Sequence, residues 1–110
     1  MASKRLIIEA NGTTYTLEFT RRTVEQMERQ GFVIRDMGKS PMTSLPTLFR
    51  GAFLAHHRTV QRDVIDEIFA ALPDKDGLFD KLAEMYVEPI EALMADPEED
   101  KGNVKWEANW

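Results

Sequence analysis

Apolar and polar residues alternate in two short runs near the start of the chain, on either side of Asn11-Gly12. Asn and Gly tolerate the positive φ that both central residues of a type I′ turn require, so these runs predict a β-hairpin over residues 5–19. A two-residue loop sets the register and places Ile8 opposite Tyr15. One face of the hairpin is then apolar and carries Leu6, Ile8, Tyr15, Leu17 and Phe19. An isolated hairpin is only marginally stable, so we expect helices to cover this face.

After the hairpin, apolar residues recur every three or four positions, which is the spacing of amphipathic helices. This periodicity predicts helices at residues 20–30, 44–57, 60–72 and 78–95. Pro89 falls inside the fourth helix, where it either kinks the helix or begins a new short one. The β-prone run 32–35 is compatible with a third short strand, which the right-handed crossover rule would place beside the first strand. The sequence therefore predicts an α+β fold, in which an N-terminal hairpin packs against about four helices.

Capping signals refine the ends of these helices. Thr20 and Thr23 are alternative N-caps of the first helix, and Gly31 is the expected stop. Asp76 is a plausible N-cap of the fourth helix, within the turn that precedes it. Gly51 falls in the middle of the second helix, where glycine costs about 1 kcal/mol relative to alanine. A close contact with another helix would account for it.

The composition is typical of a globular domain, with 43% hydrophobic and 30% charged residues among 110. We divide the chain into a single α+β domain at residues 1–95 and an acidic, tryptophan-containing tail at residues 96–110. No apolar run approaches the roughly 20 residues that span a bilayer, and the start lacks the apolar segment of a signal peptide. There is no cysteine, hence no disulfide framework. We therefore expect a cytoplasmic protein without a membrane partner.

Charge is distributed unevenly along the chain. Residues 1–50 carry 8 Lys/Arg against 5 Asp/Glu, a net charge of +3, whereas residues 51–110 carry 6 against 14, a net charge of −8. The acidic half repels phosphate backbones and argues against a nucleic-acid partner. Such an asymmetry could orient the domain against a basic partner or, as a weak homo-oligomer, against a second copy. The alternative is that the charges are solvated faces of unrelated helices.

Two groups of polar residues in the predicted helices invite a search for catalysis or metal binding. His56 and His57 are adjacent, and neighbouring residues on a helix point about 100° apart, so they cannot easily bind one metal. We expect His56 to be half-buried in the apolar stripe of its helix. Asp63, Asp66 and Glu67 lie on the polar side of the third helix, where the sequence indicates no cleft for acid–base chemistry. Both groups favour structural or solvated roles.

Two further groups resemble binding loops. Residues 74–77 echo the start of an EF-hand loop, but Leu78 occupies a position that should be polar, so a plain turn is expected. Arg21 and Arg22, with Arg29 nearby, form a small basic patch at the start of the first helix, where phosphate binding is conceivable. The net charge favours a solvated turn instead. We therefore expect no catalytic residue, no cofactor and no metal, and a domain that works by binding another protein.

Several residues are candidates for contact with that protein. They are Leu54, Met85, Pro89, Leu93, Met94, Trp106 and Trp110. The two tryptophans lie on the aperiodic tail, where they either fold back onto the domain or anchor the tail in a partner, since Trp is frequent among binding hot spots. Methionine adapts to varied partners, so we expect a groove between the fourth helix, near Pro89, and the second helix. The alternative is that the helical candidates form the domain core.

The order of these segments resembles that of a known protein family. After the Asn11-Gly12 hairpin come LEFTRRTVEQMERQGF (17–32), PTLFRGAFLAHHR (46–58) and DEIFAALPDKDGLFDKLAEMY (66–86). Over residues 5–95 the chain resembles a family of small uncharacterised bacteriophage and prophage proteins. That family is similar in turn to the tail assembly chaperones of long-tailed phages.

The resemblance implies a cytoplasmic protein that is absent from the virion. Such a protein would coat the tape-measure protein and keep it soluble until the tail tube polymerises around it. Tail assembly chaperones are often made in two forms, the longer by ribosomal frameshifting, and the tail here could be where an extension begins. The family supplies no catalytic residues. The alternatives are a structural phage component, such as a tail-tube or head–tail connector subunit, and a small nucleic-acid-binding regulator.

Overall fold

A β-hairpin followed by four helices makes up the fold, in a computed structural model that describes residues 4–96 and 104–110. The hairpin consists of β1 (Leu6–Ala10) and β2 (Thr13–Leu17). The helices are α1 (Arg21–Arg29), α2 (Pro41–Gly51), α3 (Arg62–Ala71) and α4 (Lys75–Met94), and a short 3₁₀ turn, Ile34–Asp36, lies between α1 and α2. The predicted α+β architecture is confirmed.

The hairpin has the predicted turn and the predicted register. Asn11 and Gly12 adopt φ of 52° and 82°, as a type I′ turn requires, and Ile8 lies opposite Tyr15. Ile8 and Leu17 are buried against the helices, whereas Ile7, on the other face, is exposed. The alternation of the sequence thus fixes which face of the sheet the helices cover.

The run 32–35 does not form the third strand, and the sheet of the described residues has two strands. Gly31, at φ 93°, ends α1 as expected. The Gly31 and Phe32 N–H groups donate to the carbonyls of Glu28 and Met27, both at 3.0 Å. This is a Schellman motif. It turns the chain so that Phe32 packs in the core, and its N–H is used for capping rather than for strand pairing.

Two helices begin and end away from their predicted bounds. α2 begins at Pro41, which suits a first helical turn, and it ends at Gly51 rather than at residue 57. The carbonyl of Ala52 accepts from the Glu18 N–H at 3.0 Å, so the chain after α2 follows β2 instead of continuing the helix. α4 begins at Lys75 and is capped by Asp74, not by Asp76.

The core joins the apolar face of the hairpin to all four helices. Its largest fully buried side chains are Tyr86, Phe49, Phe53, Leu17, Leu48 and Leu82. Gly51 marks the expected close contact, because a Cβ atom there would collide with the Met27 side chain of α1. Of the helices that the structure describes, none is long and apolar enough to cross a membrane.

Candidate interaction surface

The apolar stripe of α4 continues past the end of the core. Leu82 and Tyr86 are buried and Ile90 is partly buried, whereas Leu93 is 56% exposed. Steps of three or four residues keep these side chains on one face of a helix. Leu93 therefore occupies the next position of the stripe that α4 uses to pack against the domain, but more than half of its surface is exposed.

The last turn of α4 is exposed on every side. Met94 is 79% exposed, and all residues from Glu91 to Asp96 are exposed. Glu91 and Asp96 flank the two apolar side chains and make no ion pair with the described residues. This end of the helix thus presents Leu93 and Met94 to solvent between acidic groups.

Both tryptophans are exposed as well. Trp106 and Trp110 show 86% and 102% of their surface, and Val104 shows 89%. They are therefore not folded back onto the described part of the domain, which was one of the two arrangements left open by the sequence. We refer to Leu93, Met94, Val104, Trp106 and Trp110 as the C-terminal apolar residues.

These residues account for most of the exposed apolar bulk. Among the described residues, nine large hydrophobic side chains are exposed, and five of the nine are the C-terminal apolar residues. Single exposed hydrophobic residues are normal, but a concentration in one segment points to a contact surface. The two described stretches at the C-terminal end, residues 93–94 and 104–110, are therefore the candidates for a contact surface.

Two predicted contact residues have other roles. Met85 is buried at 5% exposure among Leu82 and Tyr86, so it belongs to the core and cannot reach a partner. Pro89 lies inside α4, which runs unbroken from Lys75 to Met94. The helix is therefore not opened at Pro89, and the groove between α4 and α2 stays a prediction.

Leu54 lies at a different place from the C-terminal apolar residues. It is half-buried and lines a shallow cleft formed by α1, the end of α2 and the start of α3, together with Gln26, Arg50 and Val60. No residue of α4 lines this cleft. The sequence-predicted contact residues thus fall into two separate groups rather than one groove.

Lys4, which lies just before β1, forms polar contacts with the middle of α4. Lys4 Nζ lies 2.9 Å from Glu84 Oε1, and the Lys4 N–H donates to Glu88 Oε1 at 3.1 Å. The hydrogen bond between the side chains raises the pKa of Lys4 and lowers the pKa of Glu84. These contacts join α4 to the residue before the hairpin as far along the helix as Glu88. The exposed part of α4 begins one turn later, at Glu91.

His56 does not sit in an apolar stripe but pairs with a buried acid. Its Nε2 lies 2.6 Å from Glu18 Oε1, and Arg5 Nε lies 3.3 Å from the same oxygen. Glu18 is 5% exposed. Sequence reasoning missed Glu18, because alternation puts it on the polar face of the hairpin. The cover comes from the segment after α2, which no local signal reveals.

His57 covers the outer edge of β2. Its Nε2 accepts from the Thr16 N–H at 2.9 Å. The two histidines therefore bind different partners, and both join the segment after α2 to the hairpin. Their role in the described residues is structural.

The carboxylates of α3 do not converge on one site. Asp66 makes a two-pronged bond to Arg50 of α2, with both N···O distances 2.9 Å, and this bond lowers the pKa of Asp66. Asp63 accepts from the Val64 N–H in the first turn of its helix. Within residues 4–96 and 104–110, no group of three His, Cys, Asp or Glu side chains is placed to hold a metal ion.

The two remaining candidate loops have local roles. The side chain of Asp74 accepts from the Gly77 N–H at 3.2 Å, so the turn at residues 74–77 is a helix cap. Arg21 and Arg22 are exposed in the first turn of α1. Arg29 lies at the other end of α1, where it pairs with Glu25 at 2.6 Å.

Together, the hairpin, the helices and this surface define a class of molecule: a small α+β domain whose exposed apolar side chains are concentrated at its C-terminal end. The chain belongs to the family described as Domain of unknown function (DUF5055), whose model matches residues 1–110. No curated protein and no solved structure matches the chain.

Proposed function

We propose that this protein is a tail assembly chaperone, which binds the tape-measure protein of a long-tailed phage in the host cytoplasm and keeps it soluble during tail assembly. The resemblance described above suggests the partner. One observation carries the proposal: the packing stripe of α4 extends to Leu93, which is 56% exposed. A second helix laid against that turn would continue the packing that the domain already uses.

The chemistry of the surface suits such a partner. A tape-measure protein is a long and mostly helical chain whose apolar stripes would aggregate if they stayed exposed. Amphipathic helices bind through apolar residues at three- and four-residue spacing, and Leu93 with Met94 offers the matching contact. Trp106 and Trp110 add large side chains of the kind that anchor interfaces.

Acidic groups around the surface favour a basic segment of the partner. Glu91 and Asp96 flank Leu93 and Met94, and residues 51–110 carry a net charge of −8, from 6 Lys/Arg against 14 Asp/Glu. Complementary charge speeds encounter and weakens with salt. Many weakly bound copies along one long chain hold it by avidity and still dissociate one at a time, as assembly of the tail tube requires.

A matched pair of substitutions tests the proposal. Leu93→Glu places a charge on the stripe, and Ala92→Glu places the same charge in the same turn, about 100° around the helix. Both positions are exposed, so neither change disturbs the core. We expect co-expression of the wild-type protein to raise the soluble fraction of its tape-measure protein, Leu93→Glu to abolish that gain, and Ala92→Glu to retain most of it.

Two outcomes contradict the proposal. One is a tape-measure protein whose solubility is the same with and without the wild-type domain. The other is an equal effect of Leu93→Glu and Ala92→Glu, which would remove the stripe of α4 from the binding surface. Circular dichroism of both variants confirms that the helices are intact before either result is interpreted.

A further inference from the structure

The outer edge of β1 is open. In a two-residue hairpin the pairs Leu6–Leu17, Ile8–Tyr15 and Ala10–Thr13 exchange the hydrogen bonds between the strands. The N–H and C=O groups of Ile7 and Glu9 therefore point away from β2. Among the described residues, none hydrogen-bonds to these groups, so β1 presents a template for another strand.

The other edge of the sheet is partly covered by the segment after α2. The Thr16 N–H donates to His57 at 2.9 Å, and the Glu18 N–H donates to the carbonyl of Ala52 at 3.0 Å. Proteins commonly protect an exposed edge with a proline or a lysine at its centre. β1 instead carries Ile7 there, with 61% of its surface exposed.

We infer that two copies of this protein pair antiparallel through β1, about a two-fold axis at Ile7, to form a four-stranded sheet. In this register Ile7 faces Ile7 of the second copy, and Arg5 faces Glu9 of the second copy on both sides of the axis. The backbone groups of Ile7 and Glu9 point outward, and extending the strand by one residue would give Arg5 the same orientation, so each opposed pair could exchange two hydrogen bonds.

Charge selects this register over its neighbours. Cross-strand pairs of opposite charge stabilise a sheet, and like charges destabilise it. A slip of two residues in either direction opposes Ile7 to a charged side chain, Arg5 or Glu9, and leaves the salt bridges unmade. The edge is thus complementary to itself in one antiparallel register, which is what a two-fold interface requires.

The charged residues are available for these contacts. Arg5 lies 3.3 Å from Glu18 through Nε, yet its side chain is 58% exposed, and a guanidinium has five N–H donors. Glu9 is exposed and makes no ion pair with the described residues. On the face toward the helices, Leu6 and Ile8 would meet Ile8 and Leu6 of the second copy, which extends the apolar face.

A five-residue edge is a small interface, so the dimer belongs to the weak class that buries less than about 1,200 Å². It would form most readily where copies are concentrated, for example along one bound chain. The inference concerns the hairpin alone and does not depend on the identity of the partner of α4.

A charge reversal and its matched control test the inference in the full-length protein. Glu9→Lys opposes Lys to Arg5 of the second copy, whereas Glu28→Lys makes the same charge change on the exposed side of α1. Sedimentation equilibrium from micromolar to millimolar concentration gives the dissociation constant. Because two pairs change from attraction to repulsion, we expect Glu9→Lys to raise it about tenfold or more, and Glu28→Lys and Leu93→Glu to leave it unchanged.

Amide hydrogen exchange by NMR locates the contact. The Ile7 and Glu9 amides, unpaired in one copy, should exchange more slowly as the protein concentration rises, while the Asn11 and Thr14 amides should not change. A wild-type protein that stays monomeric at millimolar concentration overturns the inference. So does a dimer that Glu9→Lys and Glu28→Lys affect equally, or one that leaves the Ile7 and Glu9 amides unprotected.

Discussion

At the scale of single residues, Tyr86 is the largest fully buried side chain of the core, and its hydroxyl group is buried with it. The residue is 1% exposed, and its ring meets Phe19 and Phe32 edge-on, with centroids 5.2 and 5.3 Å away. Its buried hydroxyl hydrogen-bonds to none of the described residues. The ring thus serves the core, and the hydroxyl adds a desolvation cost.

We predict that Tyr86→Phe leaves stability unchanged or raises it by up to about 1 kcal/mol, since it removes a buried polar atom without removing its partner. Urea unfolding at pH 7 measures the change. A loss of more than about 1 kcal/mol would show that the hydroxyl makes a stabilising hydrogen bond in solution.

Ionisation of the same hydroxyl should lower the unfolding free energy at alkaline pH. Burial, assisted by the charge of Glu28, raises the pKa of Tyr86 from 10.0 to about 12. The unfolded state therefore loses this proton at a lower pH than the folded state, so the unfolding free energy is unaffected below pH 10 and falls as the pH rises toward 12. The difference corresponds to roughly 2–3 kcal/mol of unfolding free energy. In Tyr86→Phe, the fall in unfolding free energy between these pH values should be smaller by this amount.

Residue roles were predictable from the sequence where local alternation decides them. Ile8, Leu17 and Leu93 lie on the faces that periodicity assigns. Glu18 and His56 could not be predicted, because their contact joins positions 38 residues apart and depends on where the chain turns after α2. Met85 was ambiguous for a simpler reason: a methionine suits a core and a contact surface equally well.

At the scale of elements, α1 and α2 differ in how their N-termini are satisfied. Thr20 and Thr23 form a reciprocal capping box at α1, with side-chain bonds to each other's N–H at 2.9 and 3.2 Å. At α2, Ser40 occupies the N-cap position but its side chain makes no capping bond. The two helices therefore supply a test and a control.

We predict that Thr20→Ala lowers the unfolding free energy by about 1 kcal/mol, whereas Ser40→Ala changes it by less than about 0.5 kcal/mol. Chemical denaturation of the two variants beside the wild type gives both values. Equal losses would mean that α1 is not held by its cap, or that Ser40 caps α2 in solution.

The Arg50–Asp66 bond, which joins α2 to α3, predicts a dependence on acid. This bond lowers the pKa of Asp66 below its ordinary value of 3.8. Its contribution is therefore complete above pH 3.8 and is lost as the pH falls through the lowered pKa. The stability difference between wild type and Asp66→Asn should be constant from pH 7 to about 5 and should shrink in stronger acid. A difference that is unchanged at pH 2 contradicts this assignment.

The elements themselves were largely predictable, because Asn11-Gly12 and four stretches of helical periodicity are strong local signals. Their ends were less so. α2 stops at Gly51, and the carbonyl of the next residue, Ala52, accepts from the N–H of Glu18, which follows β2. At the end of α1, the N–H of Phe32 takes part in a Schellman motif at Gly31 and is not available to a strand. Both outcomes are set by tertiary contacts that compete with local propensity.

At the scale of the whole molecule, the chain is longer than a compact domain. Its extents are 57 × 31 × 25 Å and its Cα radius of gyration is 16.8 Å, against about 13 Å for a compact domain of this length. The exposed end of α4 and the segment that contains the tryptophans are consistent with this elongation.

The two surfaces inferred for the molecule lie on different elements and make separate predictions. The proposed self-pairing uses β1, and the proposed partner binding uses the end of α4 and the segment that contains the tryptophans. We predict that Glu9→Lys retains the solubilising effect on the tape-measure protein with less than about a tenfold loss of apparent affinity, since weakening one avidity contact reduces but does not remove binding. Complete loss would show that the hairpin edge itself contacts the partner.

The central claim is that the C-terminal apolar residues bind a helical apolar partner. The chain contains two tryptophans, Trp106 and Trp110, and both are exposed, so intrinsic tryptophan fluorescence reports on this surface alone when the partner segment lacks tryptophan. On titration with a helical tape-measure segment of that kind, we predict a saturable shift of the emission to shorter wavelength as the indoles leave water. Binding with no change in emission, or no binding at all, would contradict the claim.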